Sequence, residues 1–246
     1  MTINRRSEQK SSLAFEGGVV LAMADSTTGS KMLTVGDLTI QPGGRTAYHI
    51  HPNTEESIFV VEGELECRLA GRRFKATAGD CILAPRTTGH GLANVSNRPA
   101  RAIFMYPTAD PEMETVDEPE FEDAEPAQGV SFRARMASYE FAPGISRFDM
   151  VGDFLGAEST YFCELTFQPG AVAPNHYHPA HEESMFCMSG QLSAVYGDDD
   201  DVPLEAGDIF LCEPGVRHGI YNRSSAEAKL LAIHPVLNPP PRVDVD

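Results

Sequence analysis

One histidine-rich pattern occurs twice in this chain, and its two copies lie 127 residues apart. The first copy consists of His49, His51, Glu56 and Gly63 after Gly43, and the second of His176, His178, Glu183 and Gly190 after Gly170. A further histidine follows each copy, His90 and His218, each with an asparagine four residues later, Asn94 and Asn222. Six of the eight histidines therefore occupy matched positions. This placement predicts two equivalent sites on two copies of one small domain.

The repeat extends beyond the histidines. Residues 38–43 recur as residues 165–170, and the spacing between copies grows by one residue before Gly207. From there the offset stays at 128, so that Tyr106-Pro107 corresponds to His234-Pro235. One residue inserted in a hairpin loop, with the strands kept in register, explains this shift. A period this long, seen twice, indicates a duplicated domain and not a solenoid.

The runs between turn residues are short, apolar and typical of strands, and 21 glycines and 18 prolines punctuate the chain. Many short strands at regular spacing predict an all-β sandwich or barrel in each half. We expect an N-terminal arm over residues 1–36, a first domain over 37–108 and an acidic linker over 109–128. A second domain with a C-terminal tail is expected over 129–246.

The charge and composition of the chain disfavour several classes of binding partner. Residues 110–125 include nine acidic residues, which predict an extended linker on the surface, and the formal net charge of the chain is −17. This charge disfavours nucleic acid and anionic membranes as partners. The N-terminal residues lack the apolar core of a signal peptide, and no apolar run is long enough for a membrane span, so we expect a cytoplasmic protein. The five cysteines form no CxxC pair and are expected to be reduced and buried.

The spacing of the paired histidines predicts a metal site inside each barrel. Alternate residues of a strand point to one face, so His49 and His51 project together, as do His176 and His178. A closed barrel directs that face inward, where a glutamate and a later histidine converge on one ion. Three imidazoles and one carboxylate suit a divalent first-row metal and leave open positions for chemistry. By the same alternation, Ile58 and Val60 line the first interior, and Met185 and Cys187 the second.

These motifs resemble those of the cupin superfamily, G-x5-H-x-H-x4-E-x6-G followed by G-x5-P-x-G-x2-H-x3-N. The second motif matches at Gly79, Pro85, His90 and Asn94, and again at Gly207, Gly215, His218 and Asn222. It departs at Thr87, where the family usually has glycine, and at Glu213, which takes the proline position. The resemblance implies two tandem cupin barrels of the double-stranded β-helix, or jelly-roll, type. It also implies two metal centres, one formed by His49, His51, Glu56 and His90 and the other by His176, His178, Glu183 and His218.

Cupins include dioxygenases, decarboxylases, isomerases, hydrolases and binding proteins, so the fold alone does not assign a function. The leading hypothesis is a dioxygenase that uses iron, manganese or nickel on a small enolic, phenolic or keto-acid substrate. The four residues before each ligand glutamate resemble quercetinase-like bicupins, which imply that Glu56 or Glu183 also accepts a substrate proton. Oxalate decarboxylases usually have three residues there and an arginine three positions before the first histidine. This chain has Thr46 and Ala173 at those arginine positions.

Other readings remain open. A redox-neutral isomerase or hydrolase would use its metal, zinc included, to polarise a carbonyl group. A non-catalytic binding cupin is the alternative from another class, although such proteins often lack ligands in one copy.

His181 is either a proton carrier beside the second site or a surface-loop residue, and the latter is favoured. Arg45 either points into the first pocket or lies exposed. The N-terminal arm either exchanges strands in a homodimer or is a disordered tail.

Overall fold

A computed structural model describes residues 2–198 and 201–245 of the chain, and strands joined by turns dominate them. The first half contains β1 (Thr2–Asn4), β2 (Ser11–Phe15), β3 (Gly18–Ala24), β4 (Thr34–Ile40), β5 (His49–Ile50), β6 (Glu56–Glu62), β7 (Glu64–Leu69), β8 (Arg72–Thr77), β9 (Cys81–Ala84), β10 (His90–Ala93) and β11 (Ala100–Tyr106). The segment between the repeats contains β12 (Glu114–Thr115) and β13 (Glu122–Asp123).

The second half contains β14 (Val130–Ser131), β15 (Tyr139–Ala142), β16 (Ile145–Val151), β17 (Tyr161–Phe167), β18 (Val172–Tyr177), β19 (Glu183–Ser189), β20 (Gln191–Tyr196), β21 (Val202–Glu205), β22 (Ile209–Cys212), β23 (His218–Tyr221), β24 (Ala228–His234) and β25 (Val243–Asp244). Helical structure in the described residues is confined to three short 3-10 turns, Arg6–Glu8, Arg133–Arg135 and Asp153–Leu155. The predicted all-β class is confirmed.

Each half of the chain is a barrel made of two facing sheets. In the first barrel the strand orders are β14-β9-β6-β11-β4-β3-β2 and β12-β5-β10-β7-β8-β13. In the second barrel they are β1-β22-β19-β24-β17-β16-β15 and β21-β20-β23-β18-β25. Side chains from both sheets fill each interior, with Ile58 and Leu92 in the first and Met185 and Ile220 in the second. The strands β2 and β3, from the segment expected to be an arm, extend the large sheet of the first barrel.

The two barrels pack through their seven-stranded sheets. Ile58 and Val60 of β6 face the barrel interior, whereas Phe59 belongs to a separate core between the barrels. In the second barrel Met185 and Cys187 face inward, and Phe186 belongs to the core between the barrels. The predicted alternation along both strands is therefore confirmed. Because both faces of these sheets are buried, their strands consist of nearly continuous apolar runs.

The barrels also exchange short strands. β1 precedes the first barrel in the chain but pairs with β22 of the second, where Ile3 lies opposite Phe210. β14 precedes the second barrel but pairs with β9 of the first, where Val130 lies opposite Ile82. The exchange relates the two halves by approximate twofold symmetry within one chain. Strand β1, at the start of the segment predicted as an arm, is thus paired with the second barrel of the same chain.

Two buried carboxylates reinforce this exchange at matched positions. The Asp37 carboxylate accepts hydrogen bonds from Arg6 and Arg101 at 2.7 to 2.8 Å, and its side chain is fully buried. Glu164, its counterpart, lies 3.3 Å from the guanidinium of Arg133. Arg6 and Arg133 begin the two matched 3-10 turns that follow the exchanged strands. Each exchanged segment is therefore held by an ion pair with a buried carboxylate as well as by strand pairing.

A second pair of carboxylates joins the barrels directly beside the metal-ligand glutamates. Glu55 accepts hydrogen bonds from the backbone N–H groups of Glu158 and Ser159 at 2.8 and 3.0 Å. Glu182 accepts three hydrogen bonds, from the Ser30 hydroxyl and from the backbone N–H groups of Lys31 and Met32, at 2.8 to 3.0 Å. Both glutamates are buried, and these contacts direct them toward the other barrel and away from the neighbouring ligand sets. Groups of each barrel therefore bind the residue just before the strand, β6 or β19, that carries the ligand glutamate of the other barrel.

The acidic linker lies on the first barrel. Its strand β12 pairs with β5 and its strand β13 pairs with β8. Glu118 forms ion pairs with Arg45 and with the buried Arg68. Arg45 is half exposed at this pair, which agrees with the exposed reading of that residue. The C-terminal strand β25 covers β18 of the second barrel in the same way.

All five cysteines are free and buried, as expected. Burial raises the pKa of the Cys67 and Cys81 thiols well above its ordinary value, so these thiols are not nucleophiles at neutral pH. Within residues 2–198 and 201–245, no helix has the length and apolar character needed to cross a membrane.

Removing the Glu182 carboxylate should destabilise the protein because three donors in the other barrel lose their acceptor. We expect Glu182→Ala to lower the free energy of unfolding by about 2 to 3 kcal/mol, measured by urea denaturation. Glu120→Ala, at an exposed linker position, serves as the control and should change it by less than about 0.5 kcal/mol. Equal losses in the two variants would show that the contacts of Glu182 do not hold the barrels together.

Candidate metal centres

The first centre forms where three strands of the first barrel begin. His49 begins β5, Glu56 begins β6 and His90 begins β10, and His51 follows β5 directly. The Nε2 atoms of His90, His51 and His49 lie 2.7, 3.2 and 3.9 Å from the same oxygen, Glu56 Oε2. All four residues are buried. The structure thus brings together the four residues that the sequence assigned to the first metal site.

The hydrogen bonds of the rings show that this arrangement fits a cation. The Nδ1 of each histidine faces a backbone carbonyl, which can only accept, so Nδ1 carries the ring proton. In neutral rings the three Nε2 lone pairs then converge on a carboxylate oxygen, an arrangement that is repulsive without a positive charge. A divalent ion supplies that charge. The acceptors are the carbonyls of Ala47 for His49, Glu112 for His51 and Thr88 for His90, at 3.0, 2.6 and 2.8 Å.

The second centre repeats this geometry. The Nε2 atoms of His178, His218 and His176 lie 3.0, 3.0 and 3.7 Å from Glu183 Oε2. His176 and His218 are oriented through Nδ1 by the carbonyls of Pro174 and Val216, both at 2.9 Å. The Nδ1 of His178 is buried without a partner among the described residues, unlike that of His51. The second centre is therefore less constrained at one ligand.

The electrostatics keep both ligand glutamates ionised. Burial acts to raise the pKa of Glu56, but the adjacent His51 and His90 rings outweigh it and hold that pKa well below its usual range. For Glu183, burial is likewise outweighed, here by His234 and by the three ligand histidines, so its pKa is also lowered. An ionised carboxylate with three imidazoles, and no thiolate, suits iron, manganese, nickel or zinc.

The two centres differ at one position beside the ligand glutamate. In the first barrel the Tyr106 hydroxyl donates to Glu56 Oε1 at 3.1 Å. In the second barrel His234 occupies the equivalent position, and its Nε2 lies 3.6 Å from Glu183 Oε1. Each residue therefore contacts the carboxylate oxygen that does not face the three imidazoles. The sequence aligned Tyr106 with His234 but gave no sign of this contact.

His181 is a second difference, and its predicted location was wrong. The residue is only 1% exposed, and its Nε2 lies 3.2 Å from His234 Nδ1, so the surface-loop interpretation fails. Burial lowers the pKa of both His181 and His234 to about 4, so both rings are neutral at pH 7. The first barrel has Thr54 at the matched position. A chain from Glu183 through His234 to His181 is therefore confined to the second barrel.

Each centre opens into a cavity inside its barrel. The first cavity has a volume of about 320 Å³, and its walls are mainly apolar, with Ile58, Leu38 and Phe104 beside His49 and Glu56. The second cavity is larger, about 560 Å³. It reaches from the second centre to the C-terminal segment 238–242. The two sets of ligands are alike, but the cavities that they face differ in volume and in lining residues.

Comparison with known proteins agrees with this architecture. The family model described as "Cupin domain" matches residues 36–106 and 163–234, which is more than half of the chain. The chain belongs to the cupin domain family. Its two matched regions coincide with the two barrels and contain all eight residues of the two centres. The predicted bicupin architecture is confirmed.

Individual relatives have different recorded activities. The chain is 21% identical to quercetin 2,3-dioxygenase of Bacillus subtilis, over 93% of this chain and 80% of that protein. A polyketide synthase protein, CurC of Streptomyces cyaneus, is 36% identical over 32% of this chain, and the match covers about half (51%) of CurC. Among solved structures, an oxalate decarboxylase of Lactobacillus farciminis superposes with a TM-score of 0.81 at 16% identity, covering 100% of this chain and 88% of that chain. The structural likeness shows the fold alone.

We expect each centre to bind one ion independently. His49→Ala and His176→Ala should each remove about one equivalent of metal, because two imidazoles and a carboxylate hold the ion more weakly than the full set. Inductively coupled plasma mass spectrometry on protein purified without affinity-column nickel measures this. Unchanged metal content in both variants would contradict the ligand assignment.

The buried His181 makes a separate prediction for the metal-free protein. Its folded pKa is about 4, below the ordinary value of 6.5, so the unfolded chain takes up the proton first as the pH falls. Stability should therefore be lost between about pH 6.5 and about pH 4, and His181→Thr, which installs the first-barrel residue, should make that loss shallower. Urea unfolding at a series of pH values tests this. An identical pH dependence in the variant would show that His181 is not held neutral.

Proposed function

We propose that the protein is a metal-dependent dioxygenase acting on a small enolic, phenolic or keto-acid substrate. The observation that carries this proposal is a histidine-rich centre with one carboxylate that opens into a largely apolar cavity. Four protein ligands leave positions free on an ion that prefers six. Similarity to a quercetin dioxygenase across 93% of the chain supports the same reaction class.

We place turnover in the second barrel. Its cavity is the larger of the two, at about 560 Å³ against about 320 Å³, and it contains more polar side chains near the centre. Iron, manganese or nickel bound there supplies a Lewis acid and one-electron chemistry with oxygen. The first centre then has a supporting role in binding and stability.

Glu183 is the proposed proton acceptor of this site, and Glu56 is its counterpart in the first barrel. Neighbouring imidazoles lower the pKa of Glu183, so the carboxylate is ionised at neutral pH but is a weak base. For the proton to pass, the pKa of the substrate hydroxyl would have to be lowered by a metal bound beside it. The proton passes from the hydroxyl of the enol or phenol to a carboxylate oxygen, which leaves the substrate as an anion. His234, beside Glu183 Oε1, keeps that oxygen in place. Apolar walls such as Leu165 and Met185 exclude water from the reacting anion.

Oxidation is tested by oxygen uptake with labelled O2 on protein reconstituted with iron, manganese, nickel or zinc. We expect both labelled atoms in the product with at least one of the first three metals. Glu183→Gln should lower kcat by at least about 100-fold, and Glu56→Gln by less than about tenfold. Metal content is measured in each variant to separate loss of the ion from loss of the base.

A redox-neutral decarboxylation is the second candidate, because 37% of the chain is matched at 31% identity by an oxalate decarboxylase of Bacillus subtilis. Thr46 and Ala173 weigh against it, since neither offers the guanidinium expected at that position. Release of CO2 from a dicarboxylate without net oxygen uptake would favour this reaction over oxygenation. Ligand binding with no turnover under any metal would instead favour a non-catalytic binding cupin.

A further inference from the structure

Two arginines of the second barrel line the same cavity as the metal centre, Arg147 on a strand of the barrel and Arg242 in the C-terminal segment. The Nε of Arg242 lies 2.8 Å from Asp244, and Arg147 is the one that belongs to the barrel wall. Arg147 lies on β16, two residues after Ile145, whose side chain is part of the barrel core. Alternation along the strand therefore directs Arg147 to the interior side of the sheet. The residue lines the cavity together with His176 and Glu183. An arginine in a largely apolar cavity is costly unless it has a partner or a ligand.

The Arg147 guanidinium is held in one orientation. Its Nε donates to Asp149 Oδ1 at 2.7 Å. Its Cζ lies 5.0 Å from the ring centroids of both Phe141 and Tyr161, within the range of cation–π contacts. The Tyr161 hydroxyl also donates to Asp149, so the acceptor is itself fixed. The Arg147 side chain is only 18% exposed, so most of its surface is in these contacts.

The two terminal nitrogens of Arg147 have no hydrogen-bond acceptor in the part of the protein that the structure describes. Among the described residues, the Nε contact to Asp149 is the one hydrogen bond that Arg147 makes, and neither Nη atom has an acceptor. The planar end of a guanidinium matches the two oxygens of a carboxylate. A preoriented fork of this kind binds a carboxylate with little loss of side-chain entropy.

The first barrel lacks this arrangement. Arg147 lies opposite Leu165 in its sheet, and Val20 lies opposite Leu38 at the matched position. By the same register Thr34 takes the place of Tyr161. Val20 lines the first cavity as Arg147 lines the second. The two cavities therefore differ in charge beyond their metal centres.

We propose that the second cavity selects ligands that bear a carboxylate, bound by the free end of Arg147, and an apolar or aromatic body. This inference rests on the proposed function only in treating that cavity as the substrate site. Phe167, Met185 and Leu230 line the space around the ligand body. The opposite end of the ligand faces His176 and Glu183. The first cavity, with Val20, has no such preference.

The test measures binding without turnover, so it is independent of whether oxygen chemistry occurs. Manganese-loaded full-length protein is titrated anaerobically by calorimetry with benzoate, phenylacetate and 3-phenylpropionate, and with the three corresponding amides. We expect at least one acid to bind at one site per chain, and at least tenfold more tightly than its amide. Arg147→Leu should weaken acid binding at least tenfold and amide binding less than twofold.

Two further variants separate charge from folding. Arg147→Lys keeps the charge without the planar fork and should give an intermediate acid affinity. Arg223→Leu removes an arginine that is 60% exposed on the same barrel and should leave acid binding unchanged. Melting temperature and metal content are measured for each variant. The proposal is overturned if no acid binds, if acids and amides bind equally, or if well-folded Arg147→Leu binds acids as the wild type does.

Discussion

The packing of the two seven-stranded sheets against each other is the constraint on which the rest of the structure depends. It buries both faces of β6 and β19, the strands that begin with Glu56 and Glu183. The residues just before them, Glu55 and Glu182, accept hydrogen bonds from the opposite barrel. The ligand carboxylates are thus positioned from inside by imidazoles and from outside by the other half of the chain. Each barrel therefore helps to position the ligand glutamate of the other.

Duplication followed by divergence explains the differences between the centres. The four ligands and the carbonyl contacts that orient them are nearly the same in both barrels, because any change there would leave a buried lone pair or carboxylate without its cation. The surroundings are freer to change. Tyr106 corresponds to His234, and Val20 to Arg147, while the ligand glutamates keep their positions. The second cavity is larger and carries an arginine beside its centre, whereas the first is smaller and more apolar.

The sequence predicts the local features well and the long-range ones poorly. Spacing alone predicts which three histidines and one glutamate lie together in each barrel, and strand alternation correctly assigns Ile58 and Met185 to the interiors. The exchange of β1 and β14 joins residues far apart in the chain and leaves no periodic signal. His181 looked like a loop residue because its partner, His234, lies 53 positions away. Arg147 precedes the histidine motif and gains meaning only when the register of β16 with β17 is known.

The central claim is that two equivalent histidine–carboxylate centres hold one metal ion each. Anomalous scattering from crystals of the metal-loaded protein, collected at the absorption edge of the bound metal, tests it most directly. The account predicts two peaks per chain, each within about 2.3 Å of three Nε2 atoms and one glutamate oxygen. Peaks at other positions, or none at Glu56 and Glu183, would contradict it.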